Sequence, residues 1–371
     1  MKKAVIILPT YNEEGSIEKL IKEIFAQEKQ MKIWELHILV VDSYSKDKTA
    51  VIVRSLKKQY PHLHLLETEK EGLGKAYING FAYAMDHINP FVIFEMDADL
   101  SHNPADLPRF LKKIEAGADF VVGSRYMKGG SIPDDWGFHR KLFSIVGNLI
   151  IRFGFMKLSI TEWTNGYRAI KTWVVKEAFN HVKNYSDYVF QVAFLDYAIK
   201  HNVRIAEIPV KFVDRKWGKS KINAVQYISN ILLYVFSNSS FVKYIIVGGT
   251  GFIIDSALLY TGYHFLRLTV AISKIISSET AIVSNFLLNN FWAFSHKKLE
   301  HNAKTYGSKF IVFNLVSVPS IIFQTVGIFL LTIIFGKHLF YPVVYNAIVI
   351  ILVVIPYSYF VYTRFIWKDR R

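Results

Sequence analysis

The sequence predicts an α/β layer followed by an all-α membrane bundle, and three observations predict it. Over the first two thirds, short apolar runs alternate with amphipathic stretches, and several of the runs end in polar or charged residues. Acidic residues crowd that part. After Phe241 they dwindle to Asp255, Glu279, Glu300 and Asp369. Four apolar stretches follow, each approaching or exceeding the ~20 residues needed to cross a bilayer. The expected division is residues 1–222 as a cytoplasmic α/β domain, 223–240 as an interfacial linker and 241–371 as the membrane domain.

Taken in order, Ala4 to Leu8 reads as a strand closed by Pro9-Thr-Tyr-Asn-Glu13. Ser16 is placed to cap a helix with Ile17, Leu20, Ile21 and Ile24 on one face. A strand from His37 to Val41 ends at Asp42, then a helix, then a strand near Leu63–Leu66. Gly72-Leu-Gly74-Lys75 opens a helix through Met85; it suits a plain turn as well as a phosphate-approaching one, because the GxGxxG spacing is absent. Phe91–Phe94 is a buried strand, Pro104 starts a helix, and Asp119–Val122 is a strand closing on Gly123-Ser-Arg125. Such βαβ repetition implies a mostly parallel sheet covered on both faces.

The stretch Phe91-Val-Ile-Phe-Glu-Met-Asp97-Ala-Asp99-Leu-Ser101-His carries the chemistry. Carboxylates at i and i+2 of extended chain share a face. A solvated Asp-x-Asp turn is the plain alternative. At the carboxyl end of a parallel strand, where ligands bind in open α/β sheets, the pair suits Mg²⁺ or Mn²⁺ held together with substrate phosphates. Pro9, Tyr11, Glu13, Asp42, Ser124 and Arg125 lie at other strand ends on the same edge. An aromatic ring, carboxylates and an Arg there suit a nucleotide diphosphate with a metal. Two polar-aromatic clusters, Trp163-Thr-Asn-Gly-Tyr-Arg168 and Val213-Asp-Arg215-Lys-Trp-Gly218-Lys-Ser-Lys221, add Arg and Lys suited to phosphate.

Composition narrows the field. The chain has no Cys, which excludes disulfides and thiolate metal sites. Met1-Lys-Lys leads into a strand, with no signal-peptide pattern visible. The formal charge of +15 would suit nucleic acid, an anionic membrane or phosphate-rich substrates. The excess charge sits beside apolar spans rather than on an aromatic-interleaved face, which disfavours nucleic acid.

Together Pro9-Thr-Tyr-Asn-Glu13, Leu73-Gly-Lys-Ala76, Met96-Asp-Ala-Asp-Leu-Ser-His102, Gly123-Ser-Arg-Tyr126 and Phe212-Val-Asp-Arg215 through Gly218-Lys-Ser-Lys221 resemble dolichyl-phosphate mannose synthases. These are family 2 glycosyltransferases of GT-A fold, and the likeness spans about residues 1–225. The resemblance implies transfer of mannose from GDP-mannose to dolichyl or another polyprenyl phosphate, with inversion, giving a lipid-linked mannose for glycan assembly. It implies donor contacts from Pro9, Tyr11, Glu13, Val40, Asp42, Asp97, Ala98, Asp99, Arg215 and Lys221. It implies metal ligation by Asp97, Asp99 and Ser101, and acceptor contacts from Arg125, Arg140 and Ser144, with Asp99, Arg125 and Arg140 as the catalytic set. Two departures stand out: Ser43 after Asp42, and Glu162 where many relatives carry Asp. The first leaves UDP-glucose open as an alternative donor; the second bears on how the Trp163–Arg168 loop is oriented. The Gln-x-x-Arg-Trp signature of processive synthases is absent. A lipid-linked sugar transporter with a nucleotide-binding module is the reading from another class, and the carboxylate pair with its basic residues favours an enzyme over it.

Ala224 to Phe236 has helical period and little charge, as a helix lying at the headgroup level or packed in a domain core would. The spans are placed near Tyr244–Phe265, Val270–Phe294, Phe310–Phe335 and Tyr341–Phe365. With Asn285-Phe-Leu-Leu-Asn-Asn-Phe-Trp292 they resemble the four-helix GtrA-like membrane domain, the candidate surface for self-association. The loop from His296 to Lys309 and the tail from Arg364 are basic, while the connections near Arg267 and Lys337 are short and nearly neutral. The positive-inside rule then puts the α/β domain, that loop and the C-terminus in the cytoplasm. Asp255 and Glu279 fall inside apolar spans, where an acid is costly; pairing with Lys274 or nearby Ser and Asn is the expected resolution. Gly248, Gly249 and Gly251 are candidates for close helix approach.

Overall fold

The computed structural model describes residues 1–185, 187–214, 224–300, 302–337 and 341–368. The chain divides into two compact units, Met1–Tyr234 and Val235–Arg371.

Seven strands build the first unit: β1 Lys2–Thr10, β2 Trp34–Asp42, β3 Leu63–Glu67, β4 Val92–Glu95, β5 Phe120–Ser124, β6 Arg168–Lys171 and β7 Ile205–Pro209. They form one sheet in the order β3-β2-β1-β4-β6-β5-β7. The pairs β1–β2, β1–β4, β2–β3 and β5–β7 are parallel. β6 runs antiparallel between β4 and β5. The α/β class and mostly parallel sheet are as expected; the antiparallel insertion is the addition. It puts Arg168 opposite Glu95 in the register of β4 and β6.

Helices α1 Ile17–Ala26, α2 Thr49–Leu56, α3 Leu73–Tyr83, α4 Leu107–Glu115, α5 Phe138–Gly154, α6 Thr172–Val182 and α7 Asp187–Lys200 lie between or after the strands. β1 is buried continuously from Ala4 to Leu8, as a central strand covered on both faces must be. In α1, Ile17, Leu20, Ile21 and Ile24 are buried, one stripe at helical spacing. Each such side chain contributes about 1.5–3 kcal/mol by leaving water. The expected helix start at Pro104 is a short 3₁₀ turn, Pro104–Asp106, whose first N–H groups are capped by the Asn103 side chain (3.0 Å to the Ala105 N–H). α4 then buries Leu107, Phe110, Leu111 and Ile114. The helix read through Met85 ends regularly at Tyr83 and continues as a π turn, Ala84–Ile88.

α8, Ala224–Asn238, links the two units in sequence. Its Tyr234 hydroxyl donates to Asp196 on α7 (2.9 Å) and its ring meets Tyr185 edge-on. Leu232, Leu233 and Phe236 are exposed.

The second unit contains α9 Ser240–His264, α10 Val270–Leu288, α11 Ala303–Leu315, α12 Ser317–Phe335, α13 Tyr341–Val349 and α14 Ile355–Phe365. Among the described residues they make four stretches long and apolar enough to cross a membrane: Ser240–His264, Val270–Ala293, Ala303–Phe335 and Val344–Phe365. Asp255 pairs with Lys274 (2.5 Å) and accepts from Ser277 (2.7 Å) and Ser278 (3.3 Å), the expected resolution for that acid. Glu279 is exposed. Of the three glycines, Gly251 is the one that permits close approach: a Cβ there would fall 2.3 Å from the Asn285 amide, whereas Gly248 and Gly249 face open space. The Asn290 side-chain Oδ1 accepts from the buried Trp367 indole (3.1 Å) and the Leu299 N–H (2.9 Å), tying three separate segments together.

Candidate active site

The carboxyl ends of β1, β2, β4 and β5 place the candidate residues along one sheet edge. Beyond β4 the chain passes Met96 and Ala98, both buried in the main core, so Asp97 and Asp99 fall on the other side. The Asp97 side chain is about a third exposed (34%), and Asp99 is buried. Leu100 takes a left-handed conformation (φ 64°), turning the chain so that the Ser101 N–H donates to Asp99 Oδ1 (3.0 Å). The Ser101 hydroxyl is buried and has no hydrogen-bond partner among the described residues. An orphaned buried oxygen beside two carboxylates costs stability unless something occupies it. All three are hard oxygen donors, and that donor set fits Mg²⁺ or Mn²⁺.

A histidine fixes this turn from behind. The Asp97 N–H donates to His102 Nδ1 (3.1 Å), so the ring carries its proton on Nε2 and donates it to Asn165 Oδ1 (3.0 Å). Asn165 in turn donates to the Gly123 carbonyl (2.6 Å), and Tyr167 stacks on the imidazole at 4.7 Å. The Trp163–Arg168 loop therefore braces the metal turn.

Arg168 holds that loop. It is fully buried and donates to the carbonyls of Trp163 (2.9 Å), Asn165 (2.8 Å) and Gln191 (2.7 Å). Its counter-charge is Glu95, 3.9 Å away and equally buried. Among the described residues neither the Glu95 oxygens nor the Tyr77 hydroxyl has a hydrogen bond of good geometry, and the nearest polar neighbour of Glu95 besides Arg168 is the Gln191 amide. Burial pushes the Glu95 carboxyl up to about 7, against the pull of Arg168. Gly166 packs between these groups: a Cβ there would make ordinary contact with Gln191 at 3.5 Å and Asp97 at 3.7 Å.

At the end of β5, Arg125 makes a bidentate pair with Glu162 (2.8 and 3.0 Å) and also donates to Thr164 (3.1 Å). Burial pushes the Glu162 carboxyl up, but the Arg125 guanidinium and the Thr164 donors outweigh it and hold the group below the usual glutamate range. Glu207 accepts from the backbone N–H groups of Thr161 and Glu162 (both 3.0 Å) and so aims Glu162 at Arg125. The longer side chain at 162 thus orients the loop by reaching the arginine.

On the donor side, Asp42 is fully buried, and both its oxygens are engaged: Thr10 donates at 2.9 Å, and the Ser45 N–H and hydroxyl at 2.8 and 2.6 Å. It anchors the turn after β2 and leaves exposed Tyr44 in a left-handed conformation (φ 46°). Tyr11 lies under the Lys70 ammonium at 3.7 Å. Glu13 accepts from Ser16 (3.1 Å) and donates its N–H to Thr49 (2.8 Å). Val40, expected to contact the donor, is fully buried in the core, while Pro9 is partly exposed.

Arg140 and Ser144 sit on α5. Arg140 pairs with Asp214 (2.8 and 3.2 Å) and stacks on Trp136 at 3.9 Å. Ser144 hydrogen-bonds the Tyr126 hydroxyl (2.5 Å). Arg215 and Lys221 lie outside the described residues. Sequence reading missed Glu95, His102, Asn165, Gln191 and Glu207. A carboxylate closing an otherwise apolar strand was the available signal for Glu95.

Residues 5–196 match the model of glycosyl transferase family 2, and residues 243–367 match that of the GtrA/DPMS transmembrane domain. A dolichol-phosphate mannosyltransferase of Pyrococcus furiosus is 30% identical over 79% of this chain and 81% of its own. A polyprenol monophosphomannose synthase of Mycolicibacterium smegmatis is 34% identical over 60% of this chain and 82% of its own. Among solved structures, a mannosyltransferase of Pyrobaculum calidifontis in complex with GDP-Man and Mn²⁺ aligns with a TM-score of 0.41 at 17% identity, covering 78% of this chain and 87% of that one. The chain therefore belongs to glycosyltransferase family 2, within its polyprenyl-phosphate mannosyltransferases, with a GT-A-type catalytic unit joined to a multi-pass GtrA/DPMS membrane domain.

Proposed function

We propose that this enzyme transfers mannose from GDP-mannose to a dolichyl or other polyprenyl phosphate, with inversion at the anomeric carbon. The observation that carries the reading is the turn after β4, where Asp97, Asp99 and a Ser101 hydroxyl without a hydrogen-bond partner among the described residues follow one another beside the loop braced by Arg168. The mannosyl relatives support the choice of sugar.

The acceptor phosphate supplies its own nucleophile. Its second pKa is about 6, so an oxyanion is present near neutral pH and no general base is needed. That oxygen attacks the anomeric carbon, the bond to the donor β-phosphate breaks, and the nucleoside diphosphate leaves with the electron pair. Asp97, Asp99 and Ser101 would hold Mg²⁺ or Mn²⁺, which supplies Lewis-acid neutralisation of the leaving diphosphate. The chain's own part is positioning. His102 and Asn165 keep the carboxylate turn in place. Arg125 and Arg140 are the cations for the acceptor phosphate, with Ser144 beside them. Asp42 shapes the nucleoside pocket by fixing the Thr10–Ser45 turn, and Tyr11 with Lys70 borders it.

α5 fits a lipid acceptor. Of its 17 residues only Asn148 and Ile151 are buried. Phe138 (73% exposed), Leu142, Phe143, Ile145, Val146 and Phe153 are open to solvent beside Arg140 and Lys141. An apolar and basic helix of that kind suits a bilayer surface with anionic headgroups. The basic loop and tail of the membrane domain favour the cytoplasmic leaflet.

The direct test is turnover by the purified full chain with GDP-mannose or UDP-glucose and polyprenyl phosphate. Mannosyl transfer should dominate; glucosyl transfer alone would overturn the donor assignment. Arg140 separates the substrates. Its pair with Asp214 is partly exposed and so screened by solvent, and an incoming phosphate can replace the carboxylate. Arg140→Ala removes a charged hydrogen bond, about 1.5–3 kcal/mol. Acceptor efficiency should fall roughly tenfold or more, with donor affinity unchanged by titration. Lysine should rescue it only in part, lacking the planar fork. Equal loss toward both substrates would remove Arg140 from the acceptor site.

A further inference from the structure

A second cluster of ligating side chains lies on β2 and β3, upstream of the strand ends that carry the catalytic residues. Glu35 and His37 are at i and i+2 of β2 and share a face. His62 precedes β3 and His64 lies within it, and the Ile38 N–H donates to the His62 carbonyl (3.0 Å) to bring the strands together. The His37 ring stacks on His62 at 4.5 Å and on His64 at 5.4 Å. His37 Nε2 lies 2.7 Å from Glu35 Oε1, and His37 Nδ1 lies 3.2 Å from His64 Nε2. One ligand atom from each of Glu35, His37 and His62 falls within 4.8 Å of the others.

We propose that Glu35, His37 and His62 form a binding site for a borderline transition-metal ion of the Zn²⁺ class, separate from the carboxylate site at Asp97 and Asp99. Two imidazoles and one carboxylate are a donor set for Zn²⁺, Ni²⁺ or Cu²⁺, while Mg²⁺ and Ca²⁺ take oxygen ligands. A tetrahedral ion with metal–ligand bonds of about 2.0–2.1 Å needs ligand atoms about 3.4 Å apart. The 2.7 Å pair must open slightly, and the three ligand atoms, all within 4.8 Å of one another, must draw to that spacing. Glu35 and His62 are half-buried, while His37 is buried.

His37 can present Nε2 to the metal by moving its proton to Nδ1, where His64 Nε2 accepts it. That is the outer partner a metal-bound histidine needs to fix its ring. The ion would staple edge strand β3 to β2, upstream of the Asp42 turn.

The experiment is Zn²⁺ uptake by the full chain in detergent, with excess Mg²⁺ to occupy oxygen-donor sites and Co²⁺ as spectroscopic probe. Wild-type protein should take up one equivalent, give the visible band of tetrahedral Co²⁺ and gain thermal stability with Zn²⁺. His62→Ala should weaken uptake tenfold or more and abolish the Zn²⁺-dependent rise in Tm, with transfer activity in Mg²⁺ unchanged. Glu35→Ala should act alike, and Asp99→Asn should retain the ion. The proposal is overturned if wild type takes up no equivalent, if His62→Ala binds and is stabilised as well as wild type, or if Asp99→Asn loses the ion.

Discussion

Asp99→Asn should cut transfer by roughly 10²–10³-fold, the scale set by removing one preorganised group that stabilises a developing charge. The side chain keeps its shape, and its amide oxygen can still accept from the Ser101 N–H, now 3.0 Å from Oδ1. The turn held by His102 and Asn165 should therefore survive, with thermal stability near that of wild type. What changes is charge: an amide presents donors where a divalent cation needs an anion. Nucleotide-sugar affinity measured without metal should match wild type, and the increment on adding Mg²⁺ or Mn²⁺ should disappear. Ser101→Ala is the companion variant. Its hydroxyl has no partner among the described residues, so removing it should cost no stability while raising the metal concentration for half-maximal rate. Near-normal turnover of Asp99→Asn at saturating metal would exclude Asp99 as a ligand.

How far the sequence foretold this site depended on whether each contact was local. The carboxylates at 97 and 99 follow an apolar run and announce themselves by spacing, as do the stripe of α1 and the four long apolar spans. β6 was missed because four residues, Arg168–Lys171, are too few to show a period. Glu95 was passed over because its explanation lies on that strand: only the β4–β6 register brings Arg168 opposite it. Asp42 was read as a donor ligand from its place at a strand end. The structure engages both its oxygens in the turn, a contact with Ser45 that sequence suggests but cannot rank. The clusters 123–126 and 162–168 were each visible as polar motifs. Their joining through Arg125 and Glu162 was not, because no periodicity links a strand end to a loop that far along the chain. Asp255 is the opposite case, since a charge within an apolar helix demands a partner, and Lys274 on the neighbouring helix was the nearest candidate.

Glu162→Gln should be the more damaging change for the fold. Glu162 is fully buried and Arg125 nearly so, joined by two charged hydrogen bonds. Breaking such a pair from one side leaves a buried charge uncompensated, at a cost of about 3–5 kcal/mol. The loss spreads further, because the same carboxylate accepts from the Thr164 N–H (3.1 Å) and hydroxyl (3.0 Å) and so shapes the loop that braces the metal turn. Urea unfolding should show a lowered midpoint with an unchanged slope, and transfer should fall even where the protein remains folded. Arg125→Met, which removes the charge but keeps bulk, should be less destabilising in the Glu162→Gln background than alone, because the two residues are coupled. Additive effects would show that they act independently. The pH dependence has a fixed sign. The carboxyl is held below its ordinary value of 4.5, so the pair's contribution is complete above that pH and fades as pH falls through the lower folded value. Wild type and Glu162→Gln should therefore converge in stability as the solution is acidified below pH 4.5. A gap that stayed constant through that range would assign the stability difference to shape and hydrogen bonding, and not to the charge on Glu162.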